Sequence, residues 1–517
     1  MDLAALLLTC QLMIGSVLLA VLIGCSAAVA IALGGGRAAA AFWLFVLAAC
    51  VLPLYLHAAA WEAAAGKFGV LRWTQSAAAT QPLSGLSAAI WIHGISGSAW
   101  VALATGFGLS RLPRSVVELS SLDAGLVRRW LVILLPACRH WIAAGALWVA
   151  TLAATEMTVV DLYGVRTLAD EFYLYYAAQP STRAILRSVL PLLPIGIGLA
   201  FALGRSLLSP AGDRAGADQE GVSGPPRASR RSHRWLGGSV GYDASGLVRW
   251  CAAGWATMVV LLILAVPLAS LIFNAGQQVT VVVSGGESQV VRHWSALGTV
   301  ISIGQATSVF AAEYQWTLLI GLLMGLLATF SAAALVFGWR PTAWLDGLVL
   351  ASVMIPGPIV ALAVVWLFRR DLPGLDQLYQ QSLVPTCLVL LPRSGAAAYL
   401  TLRIAKQRLE CSVSEAASLD CDSRWRRFWT IQRPRLTSAL MVSVVIAALV
   451  AIADVPATLP VIPPGVSTVG VRLFGLLHSG ARQQEAALAM GWILILAGSL
   501  GMLAVCWRLL SARLCRT

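Results

Sequence analysis

The sequence predicts an all-α polytopic membrane protein with about eleven transmembrane helices in two homologous halves. Three observations carry this. Of 517 residues, 59% are hydrophobic and only 11% charged, with a mean hydropathy of +0.80; so few charges cannot cover the surface of a soluble chain this long. The apolar residues gather in runs such as 6–33, 252–272 and 316–337. Each is near or above the ~20 residues that cross ~30 Å of hydrocarbon as a helix. The stretch from Glu118 to Pro136 also returns, altered, from Glu415 to Pro434. The short alternating segments of a membrane barrel are absent.

Spans are expected near 5–33, 41–61, 83–109, 138–158 and 186–208, then near 250–273, 316–338, 345–367, 384–403, 438–458 and 487–509. The arginines orient them. With Arg111, Arg114, Arg128 and Arg129 placed in the cytoplasm, Arg37, Arg205, Arg230, Arg340, Arg403, Arg427 and Arg513 fall on the same side, the positive-inside asymmetry. This puts the N-terminus outside and the C-terminus in the cytoplasm. The first apolar run lacks a basic leader and a cleavage site and reads as a retained span. The formal charge of +13 is then topological, and no nucleic acid is expected as a partner. The ten cysteines show no C-x-x-C or other metal spacing.

The apolar pattern breaks over residues 209–247, which carry Pro210, Pro225, Pro226, several glycines and an arginine cluster. This reads as a flexible cytoplasmic linker. It divides the chain into a first half, 1–208, with about five spans, and a second half, 248–517, with about six. The longest outside segment is 275–313. Within it Gln278 to Val283 is strand-like, and Trp294 to Phe310 reads as an interfacial helix.

The two halves align across the linker. Glu118 and Glu415, like Asp123 and Asp420, lie 297 residues apart; Ile133 and Ile431, Pro136 and Pro434, and Glu156 and Asp454 lie 298 apart. Ser115 and Ser412 stand three residues before the paired glutamates, the spacing of a capping box at a helix start. Two matched cytoplasmic helices point to one kind of partner with two equivalent docking sites.

The second loop resembles the EAA loop of binding-protein-dependent ABC importer permeases. Glu415, Ala416, Ala417, Ile431 and Pro434 match that pattern, while Cys421 stands where glycine is expected and Arg433 where leucine is. The first loop is more degenerate. It keeps Glu118, Asp123, Ile133, Leu135 and Pro136, but has Leu119 and Ser120 for the two alanines and Ala124 for glycine. Two halves in one chain look most like the fused ferric-iron, thiamine and phosphonate-type permeases. The resemblance implies a bacterial inner-membrane permease that passes a substrate, ferric iron favoured, delivered by an external binding protein. It also implies two cytosolic ABC ATPase subunits docked on Glu118, Asp123, Pro136, Glu415, Ala416, Ala417, Asp420, Cys421, Ile431 and Pro434.

The chain has no G-x-x-x-x-G-K-[ST] with which to cradle ATP, and no catalytic constellation. It is therefore read as a transport subunit without its own ATPase site, a catalytic residue or a cofactor. Ser284-Gly285-Gly286-Glu287 reads as a turn. Four polar residues fall at membrane depth: His93, Glu156, Arg393 and Asp454. Arginine at mid-span costs about 2.5–3.5 kcal/mol on insertion scales, so Arg393 must face the bundle interior or a wet cavity. These four are candidate pathway or gating residues, and Arg393 and Asp454 lie on adjacent antiparallel spans that could pair them. The alternative is structural, with acids at span ends meeting water and His93 bonded between helices. No metal site is expected. A secondary transporter with a duplicated bundle is the competing function, but it has no use for two cytoplasmic docking helices.

Overall fold

A computed structural model describes residues 3–66, 83–177, 196–198, 201, 204, 245–284, 287–338, 342–370, 373–407, 423, 426 and 433–514. The chain is a polytopic α-helical membrane protein. Among the described residues, seven helices are long and apolar enough to cross a membrane, or up to ten if each of three bent pairs is one span. The expected span at 186–208 and the linker lie essentially outside the described residues.

In chain order the helices are α1 (Leu3–Gly34), α2 (Gly36–Val51), α3 (Leu54–Ala65), α4 (Gly85–Ser110), α5 (Arg114–Asp123), α6 (Leu126–Ala137), α7 (Arg139–Thr155), α8 (Thr158–Leu162) and α9 (Leu168–Ala177). After the linker come α10 (Gly246–Ala275), strands β1 (Gln277–Ser284) and β2 (Glu287–Trp294), α11 (Ala296–Val309), α12 (Ala311–Gly338), α13 (Ala343–Met354) and α14 (Gly357–Phe368). The last are α15 (Leu375–Gln381), α16 (Val384–Gln407), α17 (Arg433–Ala453), α18 (Val455–Thr458), α19 (Val469–Ser479) and α20 (Arg482–Leu514).

Two expected straight spans are broken in the middle. The span at 41–61 is α2 and α3, bent by 100°, and that at 345–367 is α13 and α14, bent by 96°. Proline sets both breaks. Pro53 (ψ 151°) and Pro356 (ψ 136°) are extended N-caps. Proline withholds an amide from the ladder and pushes the residue before it out of the helical region. A third bend, of 71° at Cys138, separates α6 from α7 beside Pro136. Two predicted spans also end early: α7 stops at Thr155 before Glu156, and α17 at Ala453 before Asp454.

The chain folds into two compact units. One comprises 1–51, 85–264 and 319–464. In it α1, α4 and α7 pack together around Ala20, Cys25, Val101 and Val149. After residue 310, α12, α16 and α17 pack around Ala328, Val336, Tyr399, Leu402 and Ala447. Helix α1 shows how a membrane helix sorts its faces. Ala5, Thr9, Leu12, Ser16, Ala20, Gly24 and Ala28 recur every three or four residues on the buried face, while Leu7, Ile14, Leu18 and Leu22 are exposed. Small residues let helices approach, and large apolar ones suit lipid. A Cβ on Gly24 would lie 2.6 Å from the carbonyl oxygen of Ser98 on α4.

The other unit comprises 52–84, 265–318 and 465–517. Helix α3 is buried on every side in it. Ion pairs within it join Arg482 to Glu62 at 2.7 Å and to Glu485 at 3.8 Å, and Arg472 to Glu313 at 2.9 Å. The segment 275–313, expected to lie outside, forms a hairpin and a helix. The expected strand becomes β1, which pairs antiparallel with β2 from Gln277↔Trp294 to Ser284↔Glu287. The helix after it forms as α11, capped by the Ser295 hydroxyl on Gly298 N. β1 and β2 are the strands among the described residues.

The α1–α4 contact yields a first prediction. Gly24→Val should destabilise the protein by about 1–3 kcal/mol or more, because the added methyls meet backbone. Gly34→Val, whose Cβ meets nothing within 4 Å, should change little. Thermal unfolding in one detergent compares the two.

Candidate functional site

In each half a helix of the packed trio stops at an acid that caps the next turn. Glu156 is extended (φ −90°, ψ 133°). Its Oε1 accepts from Thr158 N at 2.7 Å and from the Thr158 hydroxyl, and Oε2 accepts from Val159 N at 3.0 Å. Asp454 sits at φ −89°, ψ 72°, and its Oδ1 accepts from Ala457 N at 3.3 Å. Both carboxylates thus satisfy amides that a broken helix leaves bare, where negative charge is favoured. The shared residue offset has a shared structural cause.

Each acid also meets a base from the neighbouring helix. Arg393 on α16 sets Nη1 3.1 Å from Asp454 Oδ1 and donates from Nη2 to Ile355 O at 3.3 Å. Ile355 lies in the break between α13 and α14. On α4, His93 Nε2 lies 3.6 Å from Glu156 Oε2. His93 Nδ1 is 2.8 Å from Ala89 O, which can only accept, so that nitrogen carries a proton. With Nδ1–H so committed, Nε2 attracts the ionised Glu156 only when it is protonated too. The Arg393 guanidinium thus cannot lose its charge, whereas the His93 ring is charged only if Nε2 is protonated as well.

All four side chains are buried or nearly so, with relative exposures of 1% for His93, 12% for Glu156, 14% for Arg393 and 3% for Asp454. Glu156 lies within electrostatic reach of Asp454. Asp454 Oδ2 is buried with no hydrogen-bond partner among the described residues. Nearby, Gly357 approaches so closely that a Cβ would lie 2.8 Å from Ala457 N. The break of α13–α14 is therefore wedged against the turn that Asp454 caps.

A second buried network escaped the sequence reading. Asp346 on α13 accepts from the Tyr399 hydroxyl at 2.6 Å and from Arg403 Nε at 3.3 Å, both on α16. The signal was present in an acid inside an apolar run facing a Tyr/Arg pair four apart, but nothing in the sequence sets α13 beside α16. At the other end of α13, the Ser352 hydroxyl donates to Pro392 O at 3.1 Å. Helices α13 and α16 are thus tied at both ends.

The first loop forms α5, with Glu118 exposed on it. The expected capping box at Ser115 does not form. Pro113 is the N-cap, with no capping side chain, and Ser115 is already inside the helix. The fixed φ of Pro113 starts the helix earlier than the serine signal implies. Asp123 ends α5, its side chain outside the described residues, and Pro136 is exposed in α6. Of the second loop, Glu415, Ala416, Ala417, Asp420, Cys421 and Ile431, along with Ser412, lie outside the described residues. Pro434 falls in the first turn of α17.

Residues 318–507 match the family model of the binding-protein-dependent transport system inner membrane component. That stretch runs from α12 into α20 and contains Arg393, the second loop and Asp454. The match leaves residues 1–317 outside it. No curated protein and no solved structure matches the chain.

Removing one member of a buried pair strands the other. Arg393→Ala should lower stability by about 3–5 kcal/mol. The Arg393→Ala, Asp454→Ala double variant should be less damaged than the single, because no buried carboxylate is then left alone. Thermal unfolding of the purified variants reads the difference, and a double variant worse than the single would remove the pair from the account.

Proposed function

We propose that this chain is the fused permease subunit of an ABC importer, in which each half supplies one lining of a shared path. The observation that carries the reading is the family match over residues 318–507. It is joined by the recurrence in the first half of the same packed trio, the same helix break and the same acid–base pair. In this reading the chain passes substrate received from an external binding protein. Two separate cytosolic ATPases bind the loops around Glu118 and Glu415 and drive the cycle. Ferric iron is the favoured substrate, on the resemblance to fused ferric-iron-type permeases. Thiamine and phosphonates are the competitors that a transport assay with the cognate binding protein would separate.

The geometry supports a route from loop to gate. Helix α16 ends at Gln407, immediately before the second loop. A displacement of that loop moves α16, and α13 must move with it, being tied to it through Asp346 and Ser352. The break at Ile355–Gly357 lies at the end of α13 and holds Arg393 through a carbonyl. The Arg393–Asp454 and His93–Glu156 pairs are then gating residues that separate or close as the helices rock. A self-powered secondary transporter would need no such route from a cytoplasmic loop.

One chain should hold two ATPase subunits, since both loops are present. Native mass spectrometry of the assembled complex should show one copy of this chain with two ATPases; two copies of this chain would refute the fused reading, and absence of any ATPase would favour the secondary transporter.

The loops should contribute unequally. Glu415→Lys should abolish transport while the chain still inserts, and Glu118→Lys should do less damage, because the first loop departs further from the EAA pattern. Uptake into proteoliposomes, normalised to inserted protein, gives the ranking; equal loss would overturn it.

A further inference from the structure

The first loop lacks the two alanines of the pattern it resembles, and α5 has little to hold it by itself. It is 10 residues long, with no capping side chain at its start and an extended Ala124 at its end. Isolated helices shorter than ~12–15 residues are marginal. Its stability and orientation must come from elsewhere.

Arg129 supplies them. It opens a π-helical turn in α6, over Arg129–Leu134, and its side chain is folded back under α5 with only 4% of the residue exposed. Its Nε donates to Ser120 Oγ at 3.0 Å and its Nη2 to Val117 O at 2.9 Å. The Ser120 hydroxyl itself donates to the same carbonyl at 2.7 Å. One guanidinium therefore grips a side chain and a main-chain oxygen one turn apart, which fixes the rotation of the helix about its axis. Val117 and Ser120 are turned inward, at 1% and 3% exposure; Leu119 and Leu122 are turned outward, at 58% and 80%, with Glu118 exposed beside them.

The two departures from the alanine pair thus fall on opposite faces. Ser120 is the inward acceptor of the clamp, and Leu119 is part of the outward face. The position equivalent to Ser120 in the second loop is Ala417, which has no acceptor side chain.

We propose that Arg129 and Ser120 are the positioning residues of the first docking helix. Their clamp takes the place of alanine packing and keeps Glu118, Leu119 and Leu122 presented to a cytosolic ATPase. This rests on the permease reading above, and it makes the degenerate loop a working one. The clamp is made of hydrogen bonds to a charged group, so its loss should weaken first-site binding by at least about tenfold.

The test uses the full chain in nanodiscs, titrated with its ATPase subunit and counted by native mass spectrometry. The variants are Arg129→Ala, Ser120→Ala, the pair together, and Leu122→Arg on the outward face. Leu122→Arg should reduce two bound ATPases to one. Arg129→Ala should do the same at concentrations that saturate the wild type, with the melting temperature of the membrane core unchanged. Ser120→Ala should have a smaller effect in the same direction, and adding it to Arg129→Ala should cost nothing further, because the bond is already lost. If Leu122→Arg loses an ATPase and Arg129→Ala does not, the clamp is wrong and the docking helix stands. A fall in melting temperature that accounts for the lost binding would also remove the clamp, making Arg129 a general fold residue. If a wild-type chain recruits two ATPases and Leu122→Arg keeps both, this helix does not dock them; if the wild type recruits none, the permease reading itself fails.

Discussion

A carboxylate at a broken helix inside a membrane protein is the constraint on which the rest of this site depends. Hydrocarbon offers no water to bare amides, so a helix can break at depth only where protein groups satisfy them. Glu156 and Asp454 do this by bonding the amides of the next turn. A buried ionised carboxylate then needs a cation, because amides alone do not offset its desolvation. Arg393 answers that need for Asp454, and His93 sets Nε2 3.6 Å from Glu156. The break, the acid and the base are one unit, which is why it recurs as a unit at the same place in each half.

The two copies are not equivalent in chemistry. Arg393 cannot lose its charge in a protein, and it also bonds Ile355 O in the break between α13 and α14. It joins three elements at once: its own helix, the acid cap and the α13–α14 break. His93 spends one nitrogen on its own helix at Ala89 and has one left for Glu156. The first pair is therefore local to two elements, whereas the second ties three. The family match falls on the second half, the half that also holds the more tightly tied version of the site.

Much of the fold was legible because hydrocarbon thickness and helical rise fix span length. The expected spans at 5–33, 83–109, 316–338 and 384–403 coincide with α1, α4, α12 and α16. The closeness of Arg393 and Asp454 was also readable, since an arginine at mid-span has few acceptable neighbours. The bends were not, although Pro53 and Pro356 stood in view. Hydropathy counts apolar residues and is blind to direction, so a pair bent by 96° reads like a straight helix. The Ser115 cap failed because proline and serine signals compete within two residues of each other. Asp346 and Arg129 were missed for a common reason. An acid near a span end reads as interfacial, and an arginine in a basic loop as a topology signal. Whether such a charge is buried depends on a partner far along the chain or across a turn, and sequence alone does not bring the two together.

The ties of α13 to α16 explain why a broken helix can serve as a moving part. A break alone gives a soft joint that would absorb a displacement. Here Asp346 grips Tyr399 and Arg403 at one end of α13, and Ser352 grips Pro392 O at the other. The second grip is on the main-chain carbonyl of Pro392, in the interior of α16. With both ends held, α13 is tied to α16 along its length, and the break at Ile355–Gly357 follows the second tie. Arg393 reaches across that break to Ile355 O and Asp454 together. The break is therefore spanned by a buried charge. Any motion that opens the break must also disturb the ion pair, so the helix geometry and the state of the site cannot change independently.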